Sequence, residues 1–173
     1  GLVGSEMCIR DRLDRAGVKA SEVARALLQA TLFAAHVAKQ RIVTMAHVEA
    51  AASESGQAGA IDELVSLVRR DQLPLLRLLQ AEPLQMQAFH LSFQEFYAML
   101  AIGEGGARLP GFVWDVWWTN AVLMGVQSGG AFGNGFVAAA GLAGDANGGA
   151  LGLKWFKVGA NAPSTGRELT NAK

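Results

Sequence analysis

The chain has 173 residues, 51% of them hydrophobic, with 15 basic and 15 acidic side chains and so no formal net charge. That is enough apolar material for a packed core, and the charge balance argues against electrostatic binding of nucleic acid and against an acidic solvating tail. The single cysteine, Cys8, excludes an internal disulfide and a cysteine-built zinc site, and it suits a reducing compartment.

Residues 1–12, Gly-Leu-Val-Gly-Ser-Glu-Met-Cys-Ile-Arg-Asp-Arg, resemble a translated sequencing-adapter run. They are set apart from the fold as an expression scar would be, and on that reading the natural start lies upstream. Beyond them the composition divides near residue 103, because 16 of the 21 glycines and all four tryptophans lie in Gly103–Lys173. The expected organisation is a winged-helix-like module over 13–102 that runs into a capped helix, a Gly/Trp-rich helical appendage over 103–159, and a flexible tail over 160–173 that carries Pro163 and Gly166.

Ser21 is placed to cap a helix reaching about Gln40, with Val23, Leu27, Ala30, Ala34 and Val37 as its apolar stripe. Arg41-Ile42-Val43 reads as a β-branched connector, and Thr44 then caps a second helix over Met45–Ala52. Ser53–Gly59 is polar and reads as a loop. Ile61, Leu64, Val65 and Val68 recur at i, i+3, i+4 and i+7, the pattern of a third helix with one buried face. Arg69 and Arg70 suit its C-terminus, where the helix dipole favours positive charge. Leu75–Leu79 and Met86–Leu91, on either side of a turn at Pro83, read as a hairpin.

The fold class that follows is mainly α: a winged-helix-like three-helix unit with a short β-hairpin, then further helices and a Gly-rich, partly irregular C-terminal part. Winged helices often bind DNA. Here the third helix offers only Arg69 and Arg70 at its end and carries Asp62 and Glu63 at its start, poor chemistry for a major groove. A protein-packing module is the preferred reading and no nucleic acid is expected. A nucleic-acid-binding winged helix is a further alternative that rests on topology alone.

The most informative stretch is Phe89–Ala98. Ser92-Phe93-Gln94-Glu95 has the form of a capping box, with Leu91 and Phe96 placed as a hydrophobic staple. Phe89, His90, Ser92, Phe93, Gln94, Glu95 and Phe96 together resemble the junction between the winged-helix and second helical domains of NACHT-type signalling ATPases, the NOD-like receptor group of the STAND NTPases. In that family an aromatic, one or two residues, a His and then Thr/Ser-Phe-Gln-Glu-Phe/Tyr open a helix. The resemblance covers about residues 20–102, with a motif core of about ten residues.

The resemblance implies that His90 contacts the β-phosphate of ADP held in an upstream nucleotide-binding domain of the same polypeptide, and so helps to lock a closed, inactive form. The chain departs from the family in lacking Gly-x-x-x-x-Gly-Lys-Ser/Thr, since none of Lys19, Lys39, Lys154, Lys157 and Lys173 follows the required glycines. No acidic run after an apolar strand offers a Mg²⁺ site either. The implied role is a non-catalytic regulatory and packing module of a cytoplasmic, nucleotide-switched protein, with no cofactor of its own and ADP or ATP belonging to the neighbouring domain.

Other motifs are weaker. His36, His47 and His90 are too widely spread for a local metal motif. Gly125-Val126-Gln127-Ser128-Gly129 has one residue too many for a nucleophile elbow. Gly133-Asn134-Gly135-Phe136-Val137-Ala138 matches a loose dinucleotide fingerprint, but residues 150–160, about twenty positions on, supply no acidic residue for the ribose. Trp114, Trp117 and Trp118 form a cluster that reads as core, or, if exposed, as an anchor for protein–protein contact. Val116–Gly144 runs 29 residues without a formal charge, long enough for a membrane helix. Its glycines instead favour two short helices, about Phe112–Gln127 and Phe136–Ala143, joined by a glycine loop, and a membrane-associated segment over 116–144 stands as the alternative.

Overall fold

The computed structural model describes residues 22–73, 75–105, 107–109 and 115–140, so the expected adapter run, the Ser21 cap, Trp114 and the C-terminal tail lie outside the described residues. The described part is mainly helical, with six α-helices and one small antiparallel sheet. The chain divides into two compact units, Gly1–Ala98 and Met99–Lys173.

In the first unit the order is α1 (Glu22–Val37), β1 (Val43–Thr44), α2 (Met45–Ser55), a 3₁₀ turn (Ala58–Ala60), α3 (Ile61–Arg69), β2 (Leu76–Gln80) and β3 (Gln85–Ala88). Helix α4 (Leu91–Gly103) begins in this unit. Helix α1 packs on both α2 and α3. The layout is the winged-helix-like one expected, with a sheet of three strands rather than two.

The third strand is β1. Val43 pairs with Met86 and Thr44 with Gln85, which gives the order β1-β3-β2. The connector read at Arg41-Ile42-Val43 is thus partly strand, because its β-branched residues meet a ready edge of β3. Along the wing, Leu76 pairs with Ala88, Arg77 with Gln87 and Leu78 with Met86, and the register shifts between Leu78 and Gln80. Side chains alternate across a strand, and Val43, Leu76, Met86 and Ala88 fall on the buried face.

The buried face of α1 is not the one the periodicity picks out. Val23 is 51% exposed and Val37 38% exposed, whereas Ala24, Leu27, Leu28, Thr31, Leu32, Ala35 and His36 are buried. Both sets recur at three and four residues. The second hides three leucines, and each fully buried aliphatic side chain contributes roughly 1.5–3 kcal/mol, so the larger apolar area wins over the stripe of two valines, two alanines and one leucine. Helix α2 outruns its expected end at Ala52 and continues to Ser55. Helix α3 buries Leu64, Val65 and Val68, as its stripe predicts, and Leu67 in addition, with Ile61 only partly covered.

The second unit contains the end of α4, a 3₁₀ turn (Val116–Trp118), α5 (Thr119–Ser128) and α6 (Gly130–Ala139). Asp115 opens the turn, its Oδ1 accepting the Trp117 N–H at 3.0 Å. The expected glycine loop between two helices shrinks to one residue, Gly129, whose φ of 105° no side chain favours. Gly130–Gly135 is helical although glycine disfavours a helix interior by roughly 1 kcal/mol. Burial of Phe132 and Phe136, stacked at 6.0 Å, offsets that cost. With α5 and α6 at ten residues each, no helix among the described residues is long and apolar enough to cross a membrane.

Candidate functional site

The wing delivers His90 to the start of α4. Strand β3 ends at Ala88, Phe89 and His90 form a bend, and the helix begins at Leu91. The bend is held by two backbone bonds: Phe89 N–H donates to the Leu75 carbonyl at 3.1 Å, and Phe93 N–H donates to the His90 carbonyl at 3.1 Å. The His90 side chain is exposed. Its ring lies against Phe93, with centroids 6.2 Å apart and the planes inclined at 49°.

The helix therefore opens two residues earlier than the capping box predicts. Ser92 is the second helical residue rather than the N-cap, and Leu91 is the first rather than the residue before the cap. The turn closed by the His90 carbonyl draws Leu91 and Ser92 into helical geometry, which leaves His90 itself at the helix mouth. Phe96 and Tyr97 are buried and meet edge to face at 5.9 Å. Burial pushes the Tyr97 hydroxyl up to about 12, against a smaller opposing effect of the Arg25 charge, so the phenol stays neutral at any physiological pH.

Two residues that bond to the strap preceding and forming β1 were missed by sequence reasoning. Gln94 is only 1% exposed, and its Nε2 donates to the Gln40 carbonyl at 2.8 Å, 54 positions away in sequence. Gln40 stands just past a left-handed C-cap of α1, in which Lys39 has φ 56° and Gln40 N–H donates to the Ala35 carbonyl at 2.9 Å. Polar burial of this kind leaves no periodic signature. The second residue is His47. Thr44 and His47 form a capping box at α2, in which Thr44 N–H donates to His47 Nδ1 at 3.1 Å and the Thr44 hydroxyl lies 3.0 Å from the same nitrogen. A Glu or Gln usually fills that place, which is why the signal was not read.

The bond from Thr44 N–H requires a bare Nδ1, so the capping imidazole is neutral with its proton on Nε2. Burial lowers the His47 pKa below its ordinary 6.5. The unfolded chain then binds the proton more readily, so this histidine's contribution to stability is complete above about pH 6.5 and is lost as pH falls through the lowered value. His47→Gln keeps an acceptor at the same place without a titrating group. The wild-type urea midpoint is therefore expected to fall further than that of His47→Gln between pH 7.5 and 5.5, by no more than the worth of one helix cap, about 1 kcal/mol. Parallel midpoints across that range would remove His47 from the account.

The remaining candidates have structural partners. Arg69 pairs with Glu82 in the wing turn, and Arg70 Nε donates to the Ser66 hydroxyl at 3.1 Å. His36 is buried in α1. Ser128 of the imperfect nucleophile elbow donates to the Gly125 carbonyl at 2.7 Å, a bond within its own helix. The Gly133–Ala138 fingerprint lies wholly within α6, with helix rather than strand before it. Trp118 is buried, 3% exposed, and Trp117 half-buried, so Trp118 serves the core and not a free surface. Among the described residues no group of three or more His, Cys, Asp or Glu side chains is arranged to hold a metal.

Comparison with protein-family models, curated proteins and solved structures finds no match to this chain. What the geometry brings together around the bend is thus His90, Phe93, Gln94 and the strap that starts at Gln40.

Proposed function

We propose that this chain is a non-catalytic regulatory and packing module of a NACHT-type, nucleotide-switched signalling NTPase, in which His90 contacts the β-phosphate of ADP held by a neighbouring nucleotide-binding domain of the same cytoplasmic polypeptide. The observation that carries this reading is the exposed imidazole of His90 at the mouth of a 13-residue helix, directly behind the wing. A helix N-terminus attracts anions through its dipole and its first-turn amides, and an imidazole there adds a hydrogen-bond donor. Loss of the contact on nucleotide exchange would bias a two-state hinge toward the open form. The sequence carries no phosphate loop, so binding of the nucleotide and its hydrolysis fall to the neighbouring domain.

Two experiments test the reading. Sequencing the transcript upstream is expected to reveal Gly-x-x-x-x-Gly-Lys-Ser/Thr within about 200 residues, the size of one domain; an upstream region without it ends the proposal. In the longer protein, His90→Ala is expected to speed ADP release about tenfold or more, because a hydrogen bond to a charged group contributes about 1.5–3 kcal/mol. Release at the wild-type rate would remove His90 from the site. For a nucleic-acid role, the engagement of Arg69 with Glu82 and of Arg70 with Ser66 leaves α3 poorly equipped.

A further inference from the structure

We infer that Gln94 is a positioning residue for His90, acting through a strap, residues 40–44, that bridges both sides of the bend in which His90 sits. At one end of the strap the Gln40 carbonyl accepts the Gln94 amide, which belongs to the first turn of α4. At the other end Val43 and Thr44 pair with Met86 and Gln85 of β3. His90 lies between these two attachments: strand β3 enters the bend and helix α4 leaves it. The strap thus closes a loop of bonds around a two-residue joint, and the angle between wing and helix is set by a brace and not by the joint alone.

The brace is anchored. Gln40 N–H is itself fixed to the Ala35 carbonyl at the end of α1, and Thr44 is held by the His47 cap at the start of α2. A buried amide that loses its acceptor pays the full desolvation of that group, so Gln94 has few alternatives to this geometry. Its amide is almost wholly enclosed, which also shields the bond from competing water. The functional consequence, an imidazole held ready for a phosphate, rests on the reading of His90 proposed above. The mechanical claim does not.

The test uses the whole chain and NMR. In the unaltered protein the Gln94 side-chain amide protons are expected to exchange at least about tenfold more slowly than those of exposed Gln127, since they must wait for the brace to open. Gln94→Met keeps the length and volume but cannot donate. It is expected to speed exchange of the Phe89 and Phe93 amides about tenfold, while Leu67 and Val68 within α3 keep their protection. Gln94→Glu is expected to behave in the same way at neutral pH, where a carboxylate faces the carbonyl, and in acid, where the protonated group donates again, to show slower exchange at Phe89 and Phe93 than Gln94→Met at the same pH. Unprotected Gln94 amide protons, or exchange that rises equally at Phe93 and Val68, would overturn the inference. None of these readings involves ADP, so their failure leaves the phosphate contact to be judged by nucleotide release, and the reverse.

Discussion

Gly135→Ala is expected to destabilise the C-terminal helical unit by about 3 kcal/mol or more, the largest effect expected of an added methyl group at any of the described glycines. A Cβ built on Gly135 would overlap the Ile102 carbonyl oxygen and lie 2.9 Å from its carbon and 3.3 Å from Gly103 Cα. Overpacking a core usually costs about 1–3 kcal/mol because side chains can shift rotamer. Here the obstacle is main chain at the end of α4, and it has no rotamer to change. Gly133→Ala, two residues earlier in the same helix, meets nothing within 4 Å. It should stabilise α6 by roughly 0.5–1 kcal/mol through helix propensity. All four tryptophans lie in this unit, so urea denaturation followed by tryptophan fluorescence reports on it. Equal midpoints for the two variants would refute the close approach.

Gly125→Ala should cost about 2 kcal/mol, and the cost should vanish in part when Phe132 is shortened. A Cβ at Gly125 would overlap the ring edge of Phe132, which is buried and stacked on Phe136. Unlike a carbonyl, a ring can be removed. Phe132→Leu alone loses packing against Phe136, whereas the double variant Gly125→Ala/Phe132→Leu fills part of the space so opened. The double variant is expected to be more stable than the sum of the single changes predicts by about 1 kcal/mol or more, within the range of contact pairs. Strict additivity would show that Gly125 is small for some other reason. In both cases glycine serves close helix packing, which explains how a segment so rich in it stays helical.

The resemblance that pointed to His90 depends on seven residues within one short stretch, and the position of that histidine between wing and helix follows from local signals: alternation up to Ala88, then helical periodicity from Phe93 onward. Gln94 belongs to the same stretch, yet nothing near it in sequence announces the Gln40 carbonyl as its partner. The phosphate contact of His90 is a separate matter, to be decided by nucleotide release. Likewise Thr44 was legible as a cap from its residue type, while its histidine partner, unusual in that role, was not.

By itself the sequence determined the helices of the first unit to within a few residues, the hairpin about Pro83, most of the buried face of α3 and the charge balance, because these follow from residue type and from neighbours three or four positions away. Only the tertiary structure decided which of two apolar stripes α1 buries, that Val43 and Thr44 become a strand, that α6 begins at Gly130, and that Gln94 braces the bend. Each of those depends on contacts beyond the local window: cover for a leucine-rich face with more area to hide, an open strand edge, the joint burial of Phe132 and Phe136, and an acceptor 54 residues away. Periodicity records what a segment can bury, and the partner settles what it does bury.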